Sequence, residues 1–171
     1  MLKRTQHVVI ATLIGLCLTA ASALAEEQPT LVNIKRMSLD TALKMGKAAI
    51  DMCRKKGVQV AVTIIDRGGH PQVILRDVLA MDLTLAISKQ KAYTAMSFNS
   101  ATSKLIGRFT SPFSIGKIEG IVVSAGGLPI NAGGNILGGI GVSGAPSGET
   151  DESCAQAGLD AVADDLEMAA M

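Results

Sequence analysis

Leu39, Ala42, Leu43, Gly46, Ala49, Ile50 and Cys53 recur at intervals of three and four residues, the stripe of a helix with one buried face. Ser38 stands at its N-cap and Asp40 in its first turn, while Arg54-Lys55-Lys56 and Gly57 close it. The period then falls from 3.6 to 2. Val58, Val60, Val62 and Ile64 alternate with Gln59, Ala61 and Thr63, as in a strand with one face in the core. Asp66-Arg67-Gly68-Gly69-His70-Pro71 reads as a turn, and residues 72–76 as the returning strand. Helical spacing resumes over residues 77–98. Met81, Leu85, Ala92 and Met96 line one side, and Leu83, Ala86 and Ile87 another. This predicts a helix buried on two sides, one taken by the sheet and the other by a partner subunit, hence a homo-oligomer. Residues 100–108 suit a further short helix and residues 110–117 a loop.

Residues 120–144 hold half of the chain's 18 glycines, yet β-prone runs lie between them. Ile121-Val122-Val123, Leu128-Pro129-Ile130 and the stretch from Ile136 to Val142, each separated by glycine-containing turns, predict three antiparallel strands. In the last, strict alternation puts Ile136, Gly138, Ile140 and Val142 on one face and Leu137, Gly139 and Gly141 on the other. So bare a face marks a close approach to the backbone, by a packed helix or by a ligand. A final helix is capped by Ser147 or Thr150 and buries Ala155, Leu159, Val162 and Leu166. The order α-β-β-α-(α)-β-β-β-α predicts an α+β fold, a five-stranded antiparallel sheet with flanking helices. Gly139-Ile-Gly141-Val-Ser-Gly144 matches the dinucleotide fingerprint in letters only. It lies inside a strand, and Ala145-Pro146-Ser147-Gly148 intervenes before the next helix.

The first 25 residues read as a signal peptide: Lys3 and Arg4, an apolar run from Val8 to Ala20, and Ala23-Leu24-Ala25 as the cleavage site. The expected mature protein, residues 26–171, is one domain, periplasmic or secreted and not embedded in a membrane. It carries 14 basic against 15 acidic residues, so no basic field draws nucleic acid. Tyr93, Phe98, Phe109 and Phe113 are the only aromatics, which argues against a deep aromatic pocket.

Five runs carry a family resemblance: VTIIDRGGHPQVILRD (62–77), KQKAYTA (89–95), GGLPI (126–130), GGIGVSG (138–144) and DESCAQAGLDAV (151–162). In these the chain resembles the GlcG/HbpS family, which includes haem-binding secreted proteins and the C-terminal domain of PduO-type corrinoid adenosyltransferases. The resemblance implies a profilin- or PAS-like sheet, higher oligomers and haem as cofactor, for binding, storage or sensing, and it does not imply an enzyme. A corrinoid or an organic acid is the alternative ligand, and a haem- or corrinoid-linked accessory domain the alternative role.

His70 is the single histidine of residues 26–171, so a multi-histidine metal site is excluded there. It stands either as a solvated turn residue or as an axial haem ligand; Tyr93 is the second choice, since a phenolate also ligates ferric iron. Arg67, Arg76, Lys89 and Lys91 are candidate partners for haem propionates, Arg76 and Lys91 foremost. The expected site is a shallow one where the 66–71 turn, the end of the returning strand at Arg76-Asp77 and the Lys91–Tyr93 segment converge. Asp66 is expected to cap its own turn. Cys53 and Cys154 fall at neighbouring ends of the first and last helices if these lie antiparallel. They form either a disulfide, with a chain-entropy ceiling of about 4–5 kcal/mol, or a pair of buried thiols.

Overall fold

A four-stranded antiparallel sheet organises residues 34–171, its strands lying side by side in the order Pro71–Arg76, Ala61–Asp66, Asn135–Ser143, Gly127–Ala132. The computed structural model describes residues 29–111 and 114–171, and the expected signal peptide lies outside the described residues. Residues 29–33 have no regular structure. The elements are α1 (Leu39–Lys55), β1 (Ala61–Asp66), β2 (Pro71–Arg76), α2 (Leu83–Phe98), β3 (Gly127–Ala132), β4 (Asn135–Ser143), α3 (Gly148–Asp160) and α4 (Ala163–Ala170). Short 3-10 turns at Thr102–Leu105 and Ile115–Lys117 fill the long α2–β3 connection. Among the described residues no helix is long and apolar enough to cross a membrane.

The sheet has four strands rather than the expected five. Val122 donates its N–H to the Thr94 hydroxyl at 3.0 Å instead of joining a ladder. The outer edge of β3 also has little to offer a fifth strand. The Gly126 carbonyl accepts from Val142 N on β4, so by alternation Gly127 and Pro129 face outward. Gly127 N–H is taken by the Thr102 hydroxyl at 2.9 Å, and Pro129 has no N–H.

One face of the sheet packs against α1 and α3, where Met45, Ile50, Val62, Ile64, Ile130, Ile140 and Val142 form the aliphatic core. Both helices begin as expected: Ser38 Oγ accepts from Thr41 N, and Ser147 Oγ from Thr150 N, each at 3.2 Å. The last helix breaks into α3 and α4 after Asp160. Cys53 and Cys154 are joined as a disulfide between α1 and α3.

The other face carries α2. Every residue of β1 is buried, not alternate ones, because helices cover both faces. Strict alternation fails in β4. Ile130 pairs with Gly138 but Asn131 with Ile136, so Leu137 is the extra residue of a bulge and side-chain parity flips there. Leu137 therefore joins Ile140 in the aliphatic core, and Ile136 packs on Ile65, Ala92 and Met96 below α2.

The bare positions of β4 serve a helix, not a ligand. A Cβ on Gly141 would sit 2.0 Å from Ser88 O, and one on Gly139 would sit 2.3 Å from Ala92 O. α2 is also shorter than expected: residues 77–82 form a loop in which Asp77 N–H bonds Val60 O and Ala80 N–H bonds Asp77 O. Its buried face is Thr84, Ser88, Lys91, Ala92, Thr94, Ala95 and Met96. Of the two apolar stripes read from the sequence, only Ala92 and Met96 are buried, while Met81 and Leu83 are exposed. Where Gly139 and Gly141 lie opposite, the helix seats itself on the small residues Ser88 and Ala92.

Candidate functional site

The β1–β2 turn is held by one carboxylate. Asp66 Oδ1 accepts Gly68 N–H at 2.8 Å and His70 N–H at 3.0 Å, as the Asp-Arg-Gly-Gly pattern predicts. Arg36 approaches Oδ2 at 3.4 Å. Burial alone would push this carboxyl up; the His70 and Gly68 N–H donors, then Arg36, outweigh it and hold Asp66 below its ordinary value. Gly69 takes φ +83°, a conformation that favours glycine.

That geometry throws the His70 ring outward, 79% exposed. Its Nδ1 is turned toward Asp66 Oδ1 at 3.5 Å, which leaves Nε2 for an outside partner. The turn leans on α2: a Cβ on Gly69 would lie 3.0 Å from Tyr93 Cε2, and Arg67 donates to Met96 Sδ at 3.6 Å. Tyr93, 42% exposed, forms part of an open groove of about 420 Å³ with Ala86, Lys89, Gln90, Glu119 and Gly120. The imidazole-bearing turn, the phenol and the Lys89 ammonium thus occupy one region of the surface.

Two expected members lie elsewhere. Lys91 is buried, 4% exposed at its side chain, and donates to Asp151 Oδ2 at 2.8 Å and Val142 O at 3.0 Å. Asp151 Oδ1 in turn accepts from Ala145 N–H at 3.0 Å. Burial pushes the Asp151 carboxyl above its ordinary range, against the pull of Lys91 and of the Ala145 and Gly144 N–H groups. Gly126, at φ +119°, makes room for the pair: a Cβ there would lie 2.7 Å from Asp151 Cβ and 2.8 Å from Lys91 Nζ. Lys91 ties α2 to β4 and α3, and its ammonium has no open side. Arg76 ends β2 at the end of the strand away from the turn, donates to Ala80 O and borders a different cleft. The expected convergence of Arg76 and Lys91 with the turn is therefore not present.

The sequence reading missed Arg36, Glu119 and Gly120, which only the tertiary fold brings to this region. It also missed Asp151 as the partner of Lys91. Asp151 reads as a first-turn helix acid, and nothing local marks a carboxylate as buried. Among the described residues no group of three or more His, Cys, Asp or Glu side chains is placed to hold a metal ion.

Comparison with known proteins agrees with this architecture. Residues 37–160 match the family model described as haem degrading protein HbpS-like. The structure is similar to a double mutant of HbpS from Streptomyces reticuli, with 37% identity and a TM-score of 0.73 over 82% of this chain and 97% of that one. It is also similar to a PduOC–haem complex, with 26% identity and a TM-score of 0.67 over 74% of this chain and 95% of that one. In sequence, an uncharacterised 15.0 kDa protein of Citrobacter freundii is 29% identical over 133 residues, 75% of this chain and 93% of its own length.

Proposed function

The chain belongs to the HbpS-like family, and from that premise we propose that it is a haem-binding protein whose open site is built on the 66–71 turn and the outer face of α2. The observation that supports the reading is the close approach of Gly69 to the Tyr93 ring, which brings the turn that carries the exposed His70 up to a phenol lining a groove of ligand size. Both side chains are of types that ligate haem iron. His70 Nε2 is the first choice of ligand and the Tyr93 phenol the second. Lys89, on the same groove, is the cation best placed for a propionate, with Arg67 beside the turn. Lys91 and Arg76 take no part. Haem bound here would supply the redox and ligand-binding chemistry; the chain's residues hold and orient it, and binding or storage needs nothing more from them.

The donor set fits the group, and the shape fits an exposed rather than an enclosed haem. The chain also fits a homo-oligomer. Val78, Leu79, Met81 and Leu83 are each more than half exposed just before and at the start of α2. So apolar a run on a small domain fits burial in a homo-oligomer. The disulfide between α1 and α3 fits an oxidising compartment, in keeping with an exported protein carrying a cleaved signal peptide.

The test is a titration of the purified, unmutated protein with haemin, followed by absorption. A saturable, shifted band is expected, and His70→Ala should alter its position or abolish it. A normal band in His70→Ala passes the iron to Tyr93, to be checked with Tyr93→Phe. No saturable change in the unmutated protein overturns the haem reading.

A further inference from the structure

β2 pairs with β1 on one side only, so its other side is an outer edge of the sheet. Asp77 N–H bonds Val60 O, and the register runs from Ala61↔Arg76 to Ile64↔Val73. By alternation Val73 and Leu75 bond β1, while Ile74 and Arg76 turn their backbone N–H and C=O groups outward. Among the described residues nothing pairs with these groups.

The sheet face beside this edge is open as well. A Cβ on Gly46 of α1 would touch both Leu75 and Val73, so these two side chains face α1, and Ile74 and Arg76 project to the α2 side. There α2 packs over β4, β1 and β3 and scarcely reaches β2. Ile74 is accordingly 48% exposed. An open edge recruits another strand unless lysine, proline or a bulge guards it. Pro71 and the bulge beside it guard only the first residues of β2. At its centre stands the apolar Ile74, and the Arg76 guanidinium is drawn aside by Ala80 O.

We propose that β2 docks on β2 of a second copy of this chain, antiparallel about a twofold axis at Ile74, so that two sheets become one. The proposal rests on the homo-oligomer reading above and names its surface. Ile74 then meets its symmetry equivalent and exchanges N–H···O bonds with it. Arg76 falls opposite Gln72, so no like charges face each other across the seam. A register centred on Arg76 would oppose two guanidinium groups, and one centred on Leu75 would lose the apolar Ile74 pair. With 14 basic against 15 acidic residues, the expected mature chain carries no net charge to drive copies apart.

The test combines sedimentation with amide hydrogen exchange on the mature protein. At micromolar concentration a dimer, or a multiple of it, is expected. In that assembly the Ile74 and Arg76 amides, which have no acceptor within one chain, should be protected from exchange. Ile74→Pro removes the outward N–H without touching the β1 ladder. It should weaken association about ten- to hundred-fold with far-ultraviolet dichroism unchanged, because the bond is lost twice across the axis. Ile74→Val, which keeps the N–H, should associate normally, and Ile74→Cys should yield a crosslinked dimer on mild oxidation. An assembly in which the Ile74 amide exchanges freely overturns this interface and leaves the homo-oligomer reading standing. So does Ile74→Pro associating as tightly as Ile74→Val, or the absence of an Ile74→Cys crosslink. A single-chain species overturns both, and a strand from a different protein becomes the better occupant of the edge.

Discussion

The two faces of the sheet are built on opposite principles. Toward α1 and α3 the strands present large aliphatic side chains, and the layers are held by burial and a disulfide. Toward α2 they present glycine and threonine, with Ile65 and Ile136 under Met96, and along the glycines the helix comes so close that its carbonyls rest on the strand backbone. Thr63 and Ser88 share a hydrogen bond at 2.8 Å there, and Lys91 and Asp151 a buried ion pair. The aliphatic face tolerates changes of shape at moderate cost. The glycine face has no slack. A helix set so tightly on the sheet keeps its outer side fixed relative to the β1–β2 turn, and the candidate site spans the turn and that side.

The largest expected effect comes from removing the closeness. Gly141→Val puts a branched side chain where even a Cβ meets Ser88 O at 2.0 Å. Overpacking commonly costs about 1–3 kcal/mol where side chains can shift, and here the obstacle is backbone. Loss of soluble folded protein is expected, whereas Ile64→Val on the aliphatic face should cost about 0.5–1.5 kcal/mol and leave a cooperative urea transition. Equal, mild losses from both would erase the contrast.

Next in size is Lys91→Ala. It strands the Asp151 carboxylate between α2, β4 and α3, and removing one partner of a buried pair costs about 3–5 kcal/mol. The urea midpoint should fall by a corresponding amount. A change below about 1 kcal/mol would show that the pair behaves as an exposed one. Reduction of Cys53–Cys154 tests the other face. It should cost about 2–4 kcal/mol, since the bond closes a 101-residue separation. Thiol counting on the unfolded, non-reduced mature protein should find none, and two would remove the crosslink from the account.

The smallest expected effect is electrostatic and belongs to the turn. Asp66 is held below its ordinary value, so the folded state binds its proton less readily than the unfolded state. Its contribution is therefore full above the unfolded-state value and lost as pH falls through the folded one. Asp66→Asn should lower stability slightly at neutral pH, with the difference from the parent closing in acid. A difference that widens in acid would reverse the sign assigned to this carboxylate.

How much of this was legible in the sequence follows from which signals are local. The Ser38 cap and the Asp66 turn are set by neighbouring residues and stand as read; of the α1 stripe Ala42, Gly46, Ala49, Ile50 and Cys53 are buried, while Leu39 and Leu43 are exposed and Met45 enters the core in their place. The glycine run of β4 pointed to a close approach, and its partner proved to be α2. What failed was non-local. Ile121-Val122-Val123 has strand composition, but the edge it would join is blocked by Pro129 and by Thr102 on Gly127. Leu137 and Ile136 exchanged faces because a bulge, invisible in a two-residue period, flips parity between Ile130 and Asn131. Lys91 sits in a run shared with the family, which marked it for attention without revealing its burial against Asp151. Arg76 is close to the turn in sequence, yet β2 carries it to the opposite end of the strand.

The most direct test of the haem site is paramagnetic line broadening by ferric haem in NMR spectra of the amide groups. The iron should broaden Gly68, Gly69 and His70, together with Lys89, Gln90 and Tyr93 on the outer face of α2. Ala49, Cys53 and Cys154, behind the sheet, should stay sharp. Broadening centred on Arg76, on Asp151 or on the α1–α3 side would contradict the placement of haem at the turn.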